Sequence, residues 1–287
     1  MEDAGVYVLR CRVHVRAWRL LRRCSPSLRL AGRPLVHGRR VAAWKKVMSK
    51  YADMKFWEKK YQEKDPITLK MVESYDWYVD AEDLAMLVDS YLMGKFGAKI
   101  LIPGCGNSLL PRVLYKMGYK NLFCIDFCAP LIHQLQQRDG DMEGSEHFIM
   151  DATNLTMFPN NFFDAVIDKA CLDAVMSGDN SVDGAHDMLE EVSRTLAVGG
   201  MYLSVSYAPS EARFPHMKKP MFNWTVGLSS LSAGVDNDIT YNVYVCTKTE
   251  AHPQAGLEPP TPPKEERKEL KELTTGGKTV DQGFKLI

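Results

Sequence analysis

Apolar and polar positions alternate along residues 50–250 in two rhythms. Ala98–Pro103 (AKILIP) is an apolar run that stops at Gly-Cys-Gly, whereas Leu109, Leu110, Val113, Leu114 and Met117 recur at the spacing of one helix face. Leu122–Phe127 (LFCIDF) is again strand-like, and Pro130 sits where a proline opens a helix running to about Arg138. The pattern predicts further strands at His147–Met150, Phe163–Ile167 and Met201–Ser206, the last following the Gly199-Gly200 turn, with a helix over His186–Leu196. Trp224–Leu231 and Thr240–Thr247 are rich in β-branched and aromatic residues and are expected to pair as antiparallel strands. Strands that alternate with helices predict an α/β fold, a doubly wound and mostly parallel sheet.

The two ends of the chain read differently. Residues 6–48 are rich in Arg and hold no acid, the composition of a mitochondrial targeting peptide, although Glu2 and Asp3 sit where such peptides avoid acids. Met48-Ser49-Lys50 also looks like an ordinary cytosolic start, so a working leader and an extended gene model both stay open. From about His252 the chain turns Pro-rich and charged, which predicts a disordered or linker tail with a short helix at Lys264–Leu273. The expected organisation is a basic leader over 1–48, one domain over 49–250 and a tail over 251–287.

Charge sharpens this division. The 287 residues carry 36 basic and 36 acidic side chains, but residues 1–48 hold 12 Lys or Arg against Glu2 and Asp3 alone. Residues 49–250 hold 18 basic and 28 acidic side chains, and the tail six of each. An acidic body disfavours a phosphate backbone and favours a basic protein partner. Asp173, Asp179, Asp183, Asp187, Glu190 and Glu191 concentrate that charge, with plain solubility as the alternative. Seven scattered cysteines without a CxxC pair give no metal site and suggest a reduced intracellular protein. No apolar run approaches the roughly 18 residues that a membrane span needs, so no membrane crossing is expected.

In a doubly wound sheet, ligands bind beyond the carboxyl ends of the strands. Gly104-Cys105-Gly106-Asn107-Ser108 follows the first strand, and its two glycines allow a tight turn close to a ligand. Leu109 stands where a dinucleotide fingerprint requires a third glycine, which weighs against NAD or FAD. The second strand ends in Asp126, about twenty residues on, where a carboxylate can accept both hydroxyls of a ribose. Asp151-Ala152 ends the third, positioned for an adenine amino group, and Asp168-Lys169-Ala170-Cys171-Leu172-Asp173 ends the fourth. Singly, each acid is more often a helix cap or a solvated loop residue, but their recurrence at successive strand ends points to a ligand.

These residues resemble the class I S-adenosylmethionine-dependent methyltransferases, with ILIPGCGNS as the first motif, Asp126 as the ribose acid, Asp151-Ala152 as the second motif and LAVGG as the turn before strand five. FWEKKY at 56–61, YDWY at 75–78, GCGNS at 104–108 and DKACLDAV at 168–175 narrow the resemblance. As an ordered set they are similar to the group containing the lysine methyltransferases of elongation factor 1-alpha and the related citrate synthase lysine methyltransferase. The resemblance covers about residues 50–250. Two positions depart from it: Ala170-Cys171 replaces the usual Gly-Thr, and Pro103 precedes the glycine loop. Ala170 cannot take a positive φ as cheaply as glycine.

The resemblance implies a Rossmann-like, mostly parallel seven-stranded sheet with helices on both faces and a C-terminal antiparallel hairpin. Its cofactor is S-adenosyl-L-methionine, with contacts from Trp57, Tyr61 and Tyr75 in an N-terminal lid, from Gly104 and Gly106, from Asp126 and Phe127, from Asp151 and Ala152, and from Lys169. Trp57 and Tyr61, four residues apart, would share a helix face over the methionine end, and Lys169 would pair with the cofactor carboxylate. The implied reaction is methylation of a lysine on a basic protein, elongation factor 1-alpha foremost, in the cytoplasm, or in mitochondria if the leader works. A small-molecule methyltransferase, a mitochondrial lysine methyltransferase of the citrate synthase type and a non-catalytic cofactor-binding adaptor are the alternatives. Asp168 and Asp173 are the candidates for helping the acceptor lysine lose its proton, each with a structural role as its alternative.

Overall fold

The computed structural model describes residues 49–62, 74–178, 181–232 and 239–250. The expected leader and tail, and Asp179, lie outside the described residues.

Strands and helices follow one another as α1 (Met54–Tyr61), α2 (Ala81–Leu92), β1 (Ile100–Pro103), α3 (Leu110–Met117), β2 (Leu122–Asp126), α4 (Ala129–Arg138), β3 (Ser145–Ile149), β4 (Phe163–Lys169), α5 (Cys171–Val175), α6 (Ser181–Thr195), β5 (Leu196–Ser206), α7 (Ser210–Met217), β6 (Trp224–Ser232) and β7 (Thr240–Lys248). The strands form one sheet in the order β3-β2-β1-β4-β5-β7-β6. Strands β1 to β5 are mutually parallel, while β7 runs antiparallel to β5 and β6 to β7. After β1 the chain winds outward through β2 and β3, then returns to β4 on the other side of β1. The direction of winding therefore reverses between β1 and β4, and a crevice opens there beyond the strand ends.

Alternation along the central strands explains their continuous apolar character. Ile100 and Ile102 join a core with Leu84, Val88, Leu110, Leu114 and Leu131 from α2, α3 and α4. Leu101 points the other way, into a core with Leu172, Met188, Leu189 and Val192 from α5 and α6. Both faces are covered, which is the condition for buried parallel strands.

The expected α/β architecture and the late hairpin are present, with shifted boundaries and added helices. The sequence pattern assigns no element to α2, α5 or α7, although Leu84, Val88 and Leu92 of α2 recur at helical spacing and are buried. Helix α6 starts at Ser181 rather than His186, and β5 at Leu196 rather than Met201. The early start of β5 comes from an irregularity: its register against β4 jumps from Phe163↔Leu196 to Ala165↔Met201. The Gly-Gly turn is thus a bulge inside the strand, not a boundary before it.

Candidate functional site

A cavity of about 490 Å3 opens beyond the carboxyl ends of β1, β2 and β4. Trp57, Tyr61 and Tyr75 line it from the N-terminal side, Gly104 and Gly106 from the loop after β1, Asp126 and Phe127 from the end of β2. Asp151, Ala152, Lys169 and Asp173 complete the expected set. Asp168 does not line the cavity.

The loop after β1 is shaped by its glycines. Gly104 and Gly106 have φ of +56° and +54°, the left-handed region where a side chain is strained. A Cβ on Gly104 would stand 2.7 Å from Cys171 Sγ, and one on Gly106 would stand 2.8 Å from Tyr61 Oη. The loop is braced from behind by Arg138, which donates to the carbonyls of Asn107 and Ser108 at 3.2 Å each and pairs with Asp139 at 2.8 Å.

Asp126 is almost fully buried. Its two carboxylate oxygens accept from the Gly106 N–H at 3.1 Å and the Cys128 N–H at 3.0 Å. Burial pushes its pKa up to about 6, partly offset by those two hydrogen bonds. Each oxygen keeps acceptor capacity for a ligand. Asp151 is exposed, and one of its oxygens accepts from Thr153 N–H and Oγ1, both at 2.9 Å.

Helix α1 supplies an aromatic wall. Trp57 and Tyr61 do share a face, with rings stacked at 5.7 Å, and Trp57 Nε1 donates to the Tyr51 carbonyl at 2.7 Å. Trp77 meets Trp57 edge-on at 5.9 Å. Burial raises the Tyr61 hydroxyl well above its ordinary value, so it stays protonated.

Lys169 ends β4 with its ammonium paired to Asp76. The same carboxylate accepts from Ser108 Oγ and from the Leu109 N–H at 3.3 Å. Burial lowers the Lys169 pKa, with Asp76 opposing that shift. Asp76 therefore ties the YDWY segment to the glycine loop and to the end of β4. It sits inside a motif visible in the sequence, but nothing local identified its partners, which lie 32 and 93 residues away.

The two expected proton acceptors are reassigned by their surroundings. Asp168 is 0% exposed and accepts from Tyr202 Oη at 2.8 Å, Ser204 Oγ at 2.9 Å and the Cys171 N–H at 2.7 Å, so it fastens α5 to the sheet and reaches no substrate. Its pKa is pushed up to about 6, chiefly by burial. Asp173 borders the cavity, but one oxygen accepts from Ser206 Oγ at 2.6 Å and from Arg213, and the other from Tyr78 Oη at 2.9 Å and the Tyr207 N–H at 3.2 Å. Four donors saturate it, which opposes service as a base. Ala170 does adopt a positive φ, +72°. Of the acidic series after Asp173, Glu191 is paired with Arg194 at 2.7 Å and accepts from the Leu155 N–H, so it braces α6 rather than facing a partner.

Known proteins bear on the same stretch. Residues 101–204 match the family model described as a methyltransferase domain. The chain is 34% identical to the eEF1A lysine and N-terminal methyltransferase of Mus musculus over 57% of its own length and 22% of that protein. It is 28% identical to EEF1A lysine methyltransferase 4 of Mus musculus over 64% of its own length and 72% of that protein. Among solved structures, the Burkholderia thailandensis 1,6-didemethyltoxoflavin-N1-methyltransferase aligns with a TM-score of 0.48 at 14% identity, covering 79% of this chain and 95% of that one. The chain thus spans under a quarter of the first of these relatives and most of the second. The matched segment runs from β1 into β5 and carries the glycine loop, Asp126 and Lys169, so the similarity to methyltransferase domains falls on the residues that line the cavity.

Proposed function

We propose that the protein is an S-adenosylmethionine-dependent protein-lysine N-methyltransferase, with residues 49–250 as its catalytic domain and a lysine of elongation factor 1-alpha as its acceptor. The observation that carries the cofactor assignment is the convergence of a glycine cradle, a buried Asp126 and Lys169 on one cavity of suitable size. The relatives named for eEF1A lysine methylation support the acceptor assignment, as does the excess of 28 acidic over 18 basic side chains across 49–250, which suits a basic protein.

The residues fit the cofactor on physical grounds. Gly104 and Gly106 leave room that a Cβ would fill, and Asp126 has acceptor capacity for two ribose hydroxyls. Phe127 and Ala152 would flank the adenine, Asp151 would accept from its amino group, and Lys169 would pair with the methionine carboxylate. Trp57, Tyr61 and Tyr75 would cover the methionine end and exclude water. When bound, the cofactor supplies an electrophilic methyl group on a sulfonium.

The chain's own contribution is alignment. The acceptor nitrogen must approach in line and uncharged, whereas a lysine has an ordinary pKa of about 10.4. Asp168 is buried within the sheet and Asp173 is saturated, so loss of the proton rests on desolvation of the amine against the aromatic wall. A translation factor as acceptor supports a cytoplasmic enzyme; import into mitochondria of a reporter fused to residues 1–50 would overturn that reading.

The test is transfer of tritium from methyl-labelled S-adenosylmethionine to unmethylated elongation factor 1-alpha, alongside calorimetry of cofactor binding. Asp126→Ala is expected to weaken cofactor binding at least tenfold, since hydrogen bonds to a charged group contribute about 1.5–3 kcal/mol. Cofactor binding without transfer to the factor would refute the acceptor, and absent cofactor binding would refute the enzyme.

A further inference from the structure

A second cavity of about 300 Å3 adjoins the first, the two sharing Asp173, Gly178 and Tyr207 as common walls. Its remaining lining includes Met176, Ala212 and Arg213. Arg213 is 4% exposed, and its guanidinium is incompletely served. Nε donates to Ser206 Oγ at a long 3.3 Å, one terminal nitrogen meets the Met176 sulfur, and the other pairs with Asp173. A guanidinium carries five N–H donors and a thioether is a weak acceptor. Two donors are left with no partner among the described residues, at a depth where an unmade hydrogen bond is costly.

From this geometry we infer that the second cavity is a subsite for the acceptor protein, in which Arg213 receives a main-chain carbonyl next to the lysine being methylated. The inference rests on the proposed lysine methyltransferase activity and adds how the acceptor is held. Position supports it: the cavity leaves the main one at Asp173 and Tyr207, on the side away from Asp126 and Asp151. Charge decides between a carbonyl and a carboxylate. Arg213 is already neutralised by Asp173, and Asp168 lies close enough to Asp173 to raise its own pKa through it, so an entering carboxylate would face a net negative surrounding. A neutral carbonyl can take the spare N–H donors without that repulsion. The subsite thus reads backbone and rejects an acidic side chain there.

Two variants test this with unmethylated elongation factor 1-alpha as acceptor and calorimetry of S-adenosylmethionine binding as control. Arg213→Lys keeps the charge opposite Asp173 and removes the fork; Ala212→Trp leaves Arg213 intact and fills the cavity from the exposed side of α7. Both are expected to raise the KM for the factor about tenfold or more while the cofactor affinity stays within twofold. Replacing the amide beside the target lysine by an ester, whose carbonyl is the poorer acceptor, is expected to raise KM for the parent enzyme and not for Arg213→Lys. Unchanged KM in both variants overturns the inference and leaves the activity standing. Equal loss of cofactor affinity overturns it too, because Arg213 would then only support the strand end. Cofactor binding by the parent protein with no labelling of the factor would instead strike at the activity, and the subsite would fall with it.

Discussion

Ala170 is held in a conformation that its side chain resists, so Ala170→Gly is expected to stabilise the protein. Its φ of +72° is fixed from both sides: its N–H donates to the Val205 carbonyl at 3.2 Å and its carbonyl accepts from the Ala174 N–H at 2.9 Å. An L-residue in the left-handed region costs about 1–2 kcal/mol. Glycine relieves that strain and loses about 0.5–1 kcal/mol through its greater freedom in the unfolded chain. The net gain is about 0.5–1 kcal/mol, or a rise in Tm of about 1–4 °C for a domain of this size. Urea denaturation, with an unchanged slope, measures the gain directly. Ala174→Gly, inside α5 at an ordinary helical position, serves as the control and should lose about 1 kcal/mol. A midpoint for Ala170→Gly at or below the parent's, with the control behaving as stated, would show that the strain is relieved some other way.

Two further outcomes follow from the glycine loop and its neighbours. Gly106→Ala combines a positive φ with a Cβ placed 2.8 Å from Tyr61 Oη, and is expected to destabilise by about 1–3 kcal/mol. Adding Tyr61→Phe should recover the steric part alone, so the two changes couple by about 1 kcal/mol in a double-mutant cycle; strict additivity would mean the contact is not felt. Affinity for S-adenosylmethionine is expected to depend on pH through Asp126, whose pKa stands at about 6. Ribose hydroxyls donate to the ionised carboxylate, so binding favours the deprotonated form, strengthens as pH rises through 6 and weakens below it. Asp126→Asn should bind more weakly at pH 7.5 and show a flat profile from pH 5 to 7.5; a parent profile that is equally flat would separate Asp126 from the ligand.

The sheet is legible in the sequence because both of its faces are covered. A run such as Ile100-Leu101-Ile102 has no polar face to hide, and its interruption at Gly104 marks a strand end reliably. The cavity is legible for the same reason, since ligand-facing residues must sit where the apolar runs stop. What a strand-end carboxylate touches is not legible. Asp168 and Asp126 look alike in sequence, yet β4 pairs Asp168 with Ser204 of β5 and turns it inward to the Tyr202 and Ser204 hydroxyls. Asp173 likewise meets Arg213 only because α7 folds back from 40 residues away. Asp76 is the converse: an acid between two aromatics, readable as a solvated turn, that proves to join three segments. Long-range pairing decides each case, and periodicity carries no information about it.

The reversed direction of β7 determines how the protein is best handled. Thr247 lies opposite Met201 in the middle of β5, and beyond it Lys248 Nζ reaches the beginning of that strand, donating to the Ser193 and Leu196 carbonyls at 2.6 Å. The backbone therefore leaves the domain beneath the sheet, at the opposite end from Pro103, Asp126 and Lys169. At the other end of the domain, Tyr51, Ala52 and Met54 already form part of the cavity rim. An affinity tag or surface tether joined directly after Glu250 starts on the side away from the opening, so immobilised protein keeps its rim accessible. The same handle joined directly before Ser49 would stand at the doorway through which the proposed protein acceptor would come.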